Sequence, residues 1–267
     1  MPILKVIMVG DVIGEPGLAV LEQRLPGLIR ENNADFVVVN GENAADGFGM
    51  TKESLDRILV AGADVVTSGN HVWEKRDFWP VLAEERRVLR PANYPGEAPG
   101  AGWVRVQKAE ITWLVLNLQG REYMTPIDCP FKGFDKILNG ASEAPAEPGA
   151  IVLVDFHAES TREKEALAYY LDGRASLLAG THTHVQTADE RILPEGTAYI
   201  TDLGMTGVNN SIIGMDPKIC LDRARHQVLY RMECAKSGPG GEGSAVQGVI
   251  AEIEKETGRA VSIKRFG

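Results

Sequence analysis

The stretch "LLAGTHTHVQ", residues 177–186, closes an apolar run on His182 and His184. The chain has only five histidines, so two of them one residue apart, where a buried strand should reach the surface, point to a chemical use. The other apolar runs end in a similar way. "VIMVGD" delivers Asp11, "FVVVNGEN" delivers Glu42 and Asn43, "VVTSGNH" delivers Asn70 and His71, and "IVLVDFH" delivers His157. On an extended segment residues i and i+2 point to the same side, which lets His182 and His184 face one site. In open α/β sheets ligands bind at the carboxyl ends of the strands. These residues are therefore expected to converge on one crevice.

Taken singly, several of them have ordinary alternatives. Asp11 also suits a helix N-cap ahead of "GEPG". Glu42, Asn43 and Asn70 also suit turns, and His71 and His157 also suit satisfied core positions. The fifth histidine, His226, lies in the helix-like "DRARHQVLYRM" and reads as an ordinary helix residue. The joint occurrence at successive strand ends favours a shared metal site. Carboxylates, amide oxygens and imidazoles without thiolate suit manganese, iron or zinc. They are too many for one tetrahedral zinc, and two ions bridged by a carboxylate are the natural count. Two ions roughly 3.5–4 Å apart bridge a hydroxide, generate a nucleophile at neutral pH and offset the charge of phosphoryl oxygens. The net charge of −9 disfavours binding along a nucleic-acid polymer. It would also repel a small phosphate ester unless such ions set the local charge. A phosphate-loop reading of "GDVIGEPG" fails, because Gly10, Gly14 and Gly17 match neither GxGxxG nor a Walker A pattern. Those glycines read instead as room for the backbone beside Asp11.

The elements that must position these groups follow from periodicity. "KVIMVG", a helical segment 16–32, "DFVVVN", a second helix 51–61 and "DVVTSG" give βαβαβ, with strands apolar on both faces and therefore buried on both. "GWVRVQKAEITWLVLNLQG" reads as an antiparallel pair turning near Lys108–Glu110. "AIVLVDFH" and "SLLAGTHTH" are buried strands separated by a charged helix over 159–171, and the tail around "ETGR" reads as a terminal hairpin. Segments 120–149 and 204–216 read as long loops, either functional rims or ordinary surface excursions. Tyr123, Phe131 and Asn210 within them suit a substrate pocket or a plain rim. With 44% hydrophobic and 24% charged residues, a layered α/β core is expected rather than disorder or a coiled coil. Nothing forces a split, so residues 1–267 are taken as a single domain. Cys129, Cys220 and Cys234 form no CxxC pair, which disfavours a disulfide framework. No apolar run is long enough for a signal segment or a membrane span. A cytoplasmic setting without a membrane partner follows as the expectation.

As they stand, "GDVIGEPG", "NGENAADG", "GNHVWE", "VDFHAE" and "GTHTHV" resemble, in order, the signature pieces of the calcineurin-like metallophosphoesterases. The longer strings "NGENAADGFGMT", "SGNHVWEK" and "YITDLGMTG" resemble the YmdB-type branch and extend the likeness over nearly the whole chain. The resemblance implies a four-layer αββα sandwich, two mixed sheets flanked by helices, with a dinuclear centre at the strand ends. Carried over residue by residue, it implies that Asp11, Glu42, Asn43 and His184 hold one ion. Glu42, Asn70, His157 and His182 hold the other, and His71 protonates the leaving oxygen. Where the superfamily has a metal-binding histidine two residues after the Asp, this chain has Ile13; Asn43, beside the bridging Glu42, is expected to supply the missing oxygen. The implied activity is hydrolysis of small phosphodiesters, 2',3'- or 3',5'-cyclic nucleotides, with iron or manganese and possible homo-oligomerisation. A phosphomonoesterase or protein phosphatase on the same site, and a scaffold with structural metals, are the competing readings.

Overall fold

The computed structural model describes residues 2–139 and 149–267. The chain runs β1 (Ile3–Val9), β2 (Asp11–Val12), α1 (Gly14–Asn32), β3 (Phe36–Asn40), α2 (Lys52–Ala61) and β4 (Val65–Thr67), then two 3-10 turns (Asn70–Trp73 and Arg76–Phe78) and α3 (Trp79–Glu84). It continues with β5 (Trp103–Lys108), β6 (Ile111–Gln119), α4 (Pro130–Leu138), β7 (Ile151–His157), α5 (Thr161–Leu171), β8 (Leu177–Thr181), β9 (Arg191–Ile192) and β10 (Ala198–Ile200). The last elements are β11 (Met205–Val208), α6 (Pro217–His226), a 3-10 turn (Pro239–Gly241), β12 (Ser244–Val246), β13 (Gly248–Glu254) and β14 (Ala260–Phe266).

Two mixed sheets result. One has the order β14-β13-β1-β3-β4 and the other β5-β6-β7-β8-β10-β9. Strands β1, β3 and β4 are mutually parallel, as are β6, β7, β8 and β10. Antiparallel strands complete both sheets. The two-residue side-chain period of each strand sorts its apolar residues into layers. On β1, Leu4, Val6 and Met8 face the second sheet, while Ile7 and Val9 meet Leu18, Leu21 and Leu25 of α1. On β7, Ile151 and Leu153 face the first sheet, while Val152, Val154 and Phe156 meet helices α4 and α5 through Phe134, Leu167 and Leu171. The layers are therefore helix, sheet, sheet, helix, as the resemblance implied. Between the sheets Phe36 stacks on Trp113 with ring centroids 4.5 Å apart.

Local signals account for the helix boundaries. Thr51 caps α2 in a reciprocal capping box with Ser54. The Ser160 side chain accepts from Glu163 N at the start of α5, and Asp216 accepts from Lys218 N and Ile219 N at the start of α6. Helix α6 ends at His226 because Gln227 turns left-handed (φ 56°), so "DRARHQVLYRM" is helical only in its first half. The terminal hairpin forms as expected, and its first strand pairs antiparallel with β1. A small sheet, β12-β11-β2, was not anticipated, nor was α4 inside the segment read as loop. Residues 140–148 of that segment lie outside the described residues.

Removing the inter-sheet stack by Trp113→Ala should cost roughly 3–5 kcal/mol, the range for an aromatic truncated in a core. Urea unfolding followed by circular dichroism measures it; a loss below about 1 kcal/mol would show that this stack does not hold the sheets together.

Candidate metal centre

The inner faces of both sheets turn polar at their carboxyl ends. The inward series on β3 runs Phe36, Val38, Asn40, on β4 Val65, Thr67, and on β8 Leu177, Ala179, Thr181. On β7 it runs Ile151, Leu153, Asp155, His157. Asp155 is the hub of these buried groups. It accepts from Asn40 Nδ2 at 2.9 Å, Thr181 Oγ1 at 2.7 Å and Thr67 Oγ1. Asn40 and Thr67 belong to the first sheet and Thr181 to the second, so one carboxylate joins both. Burial pushes Asp155 up to about 7, against the pull of its three donors.

This network sets the first imidazole. His157 Nδ1 lies 3.0 Å from Thr181 Oγ1. That hydroxyl already donates to Asp155, so it accepts from Nδ1 and leaves the Nε2 lone pair free. His184 Nδ1 lies 2.9 Å from the Ile213 carbonyl, which can only accept, and His182 Nε2 lies 3.1 Å from Glu159 Oε2. All three rings thus engage an oxygen through one nitrogen and turn the other toward the crevice unprotonated, the arrangement that prepares histidine as a metal ligand. Burial holds His157 and His182 down at about 3, neutral at physiological pH.

His157 Nε2 is met by Asn70 Oδ1 at 3.1 Å, His182 Nδ1 at 3.0 Å and Glu42 Oε2 at 3.1 Å. With Glu42 ionised these are four electron-pair donors with no hydrogen between them, a cluster that a cation would satisfy. Ligand atoms of Glu42, His157 and His182 all lie within 4.8 Å of one another. Beside them, His184 Nε2 is 3.8 Å from Asp11 Oδ1 and 3.1 Å from the Asn43 side-chain amide. Asp11 Oδ1 and Glu42 Oε2 are buried without a hydrogen-bond partner, a state that metal coordination would relieve. Burial pushes both carboxyls up to about 7. The donor set therefore fits hard or borderline divalent ions.

The route by which His182 and His184 arrive differs from the expectation. Strand β8 stops at Thr181, and the two histidines have φ 100° and 64°, so strand alternation does not align them. Left-handed backbone at non-glycine residues costs about 1–3 kcal/mol each and persists only where surroundings enforce it. The cap reading of Asp11 also fails. The N-cap of α1 is Ile13, and Asp11 Oδ2 accepts from His182 N at 3.3 Å. The glycine reading holds, because a Cβ at Gly10 or Gly17 would run into the backbone carbonyls of Gly204 and Thr206. A Cβ at Gly69 would overlap Glu42 Oε2 and the His157 ring.

His71 begins a 3-10 turn with Asn70, donates its N–H to Glu42 Oε1 at 3.3 Å, and holds its ring outside the donor cluster. Nδ1 lies 3.4 Å from Glu74 Oε1, and the ring meets Phe48 edge-on at 5.0 Å. It lines a cavity of about 760 Å³ together with Glu42, Asn43, His182 and His184, with further wall from Arg223, Val228 and Leu229. Tyr123 and Asn210 are exposed and Phe131 packs edge-on against Tyr170; none of the three lines this cavity. Sequence reasoning missed Asp155, Thr181, Glu159 and Asp202. Asp155 and Glu159 stand two residues either side of His157, and Asp202 follows the end of β10, so the strand-end rule already applied to the other runs reaches them.

The fold and this cluster define the class, a calcineurin-like metallophosphoesterase. Within it the chain belongs to the YmdB-like protein family, whose model matches residues 7–266. It is 40% identical over 263 residues, 98% of this chain and 96% of the relative, to a 2',3'-cyclic-nucleotide 2'-phosphodiesterase of Bacillus subtilis. The crystal structure of a hypothetical protein from Thermus thermophilus superposes with TM-score 0.88 at 40% identity, covering 98% of both chains. That of a novel phosphatase from Mycoplasma pneumoniae superposes with TM-score 0.91 at 30% identity, covering 100% of this chain and 93% of the other. Among the described residues, no helix is long and apolar enough to cross a membrane.

Metal loading should release protons at pH 6, where burial keeps the Asp11 and Glu42 carboxyls, at about 7, largely protonated in the metal-free protein. His157 and His182, held near 3, are already neutral and contribute none. Release should fall away by about pH 8.5 and metal affinity should weaken as pH drops below 7. Manganese titration calorimetry in buffers of different ionisation enthalpy measures this, and a pH-independent proton count would contradict it.

Proposed function

We propose that this chain is a metal-dependent phosphodiesterase acting on small phosphodiesters, with 2',3'- or 3',5'-cyclic nucleotides as substrates. The observation that carries the reading is the ring of lone-pair donors around His157 Nε2 and the two unpartnered buried carboxylate oxygens. Asp11, Glu42, Asn43 and His184 hold one ion, and Glu42, Asn70, His157 and His182 the other, with Glu42 shared. Iron or manganese suits the set, and zinc is compatible with it. When bound, two such ions supply a nucleophilic water of lowered pKa and offset the charge on the phosphoryl oxygens.

The remaining roles belong to side chains. His71 stands outside the donor cluster and gives its proton to the leaving oxygen, while Glu74, 3.4 Å from Nδ1, orients the ring. The cavity wall of Arg223, Val228 and Leu229 receives the part of the substrate beyond the phosphate. The activity named for the Bacillus subtilis relative supports the cyclic diester. A phosphomonoesterase or protein phosphatase on the same site is the second reading, favoured by the likeness to the Mycoplasma pneumoniae protein, which is described as a phosphatase. The chain is further proposed to work as a single cytoplasmic domain over residues 1–267, self-associating, with no membrane or nucleic-acid polymer as partner.

Chelated protein reloaded with manganese or iron should hydrolyse bis-p-nitrophenyl phosphate faster than p-nitrophenyl phosphate. Faster monoester turnover would hand the site to the second reading, and metal binding without turnover of either ester or of cyclic nucleotides would favour a structural role for the ions. His71→Asn should keep manganese stoichiometry while kcat falls roughly 10²–10⁴-fold. Near-normal turnover in that variant would remove His71 from the reaction.

A further inference from the structure

The two left-handed histidines flank Thr183, whose backbone and hydroxyl are both held by one buried ion pair. Asp202 Oδ2 accepts from Thr183 N at 3.1 Å, from Thr183 Oγ1 at 2.8 Å and from Lys164 Nζ at 2.7 Å. Asp202 Oδ1 accepts from Gly204 N at 2.9 Å. The side chains of Lys164 and Asp202 are each 1% exposed. They come from α5 and from the end of β10, so the anchor joins three segments distant in sequence. A buried lysine needs a close counter-charge to remain charged. A neutral amide of the same shape could not accept at both oxygens, as the Asp202 carboxylate does.

We infer that the Lys164–Asp202 ion pair is a positioning device for His182 and His184. It clamps the peptide and hydroxyl of the residue between them, holds both in left-handed backbone, and so fixes which ring nitrogens face the crevice. Being neutral as a pair, it supplies hydrogen bonds close by while adding no net charge to a site that must attract cations. Asp202 and Lys164 touch neither substrate nor the proposed ions. The inference rests on the proposed ligand roles of His182 and His184, and the experiment separates the two.

The test is manganese calorimetry on Asp202→Asn, Thr183→Val, Thr183→Ser and His184→Ala, with thermal melts of each metal-free protein. Asp202→Asn keeps shape, removes the counter-charge to Lys164 and replaces one of the two acceptor oxygens with an amide nitrogen. It should bind manganese roughly 10–100-fold more weakly, the usual consequence of removing a group that orients a ligand, with activity recovered at excess metal. Thr183→Val should show a smaller loss and Thr183→Ser, which keeps both hydrogen bonds, none. A purely structural ion pair would lower the metal-free melting temperature and leave manganese affinity unchanged in whatever protein stays folded; that result overturns the inference. If Asp202→Asn does not fold, Thr183→Val decides, because it leaves the ion pair intact, and unchanged affinity there is equally fatal. If His184→Ala retains full manganese affinity, the ligand reading itself is wrong, whatever the other variants do.

Discussion

A carboxylate buried between two sheets must be met by donors from both or the sheets separate, and Asp155 is met by Asn40 and Thr67 on one side and Thr181 on the other. This seam separates the apolar core from the chemistry. Below it Phe36, Trp113, Leu153 and their neighbours exclude water. Above it stand His157 at the end of β7, Glu42 in the loop after β3 and Asn70 in the turn after β4. Because Thr181 donates to Asp155, it can only accept from His157, and the proton on that ring is settled two residues away from the site it serves.

Burial has two effects here. It raises Asp11 and Glu42 and lowers His157 and His182, so in the absence of cations every group drifts toward its uncharged form. The imidazoles are thereby held neutral at any ordinary pH, while the carboxyls keep protons that a bound cation would displace.

The strained turn at residues 181–184 shows how cost and function are coupled. An extended continuation of β8 would be the relaxed backbone, yet it would carry the two histidines along the strand direction and away from the crevice. Left-handed φ at His182 and His184 folds them over the strand end, and hydrogen bonds from Thr183 to Asp202, from His182 N to Asp11 and from His184 to Ile213 hold them there.

Much of this was legible in the sequence by itself. Strand positions follow from short-range periodicity, and the candidate donors stand out because histidines and acidic residues are placed where apolar runs stop. What the sequence did not determine is nonlocal. That β13 pairs with β1, that β2 and β11 meet in a small third sheet, and that Asp155 spans the seam depend on contacts between residues far apart in the chain, to which local pattern is blind. The left-handed histidines are the sharpest case. Local preference favours extended or helical backbone for both, and the tertiary hydrogen bonds made by His182, Thr183 and His184 oppose that preference. The sequence thus determined which residues could do the chemistry, and the tertiary structure decided which of their atoms face one another.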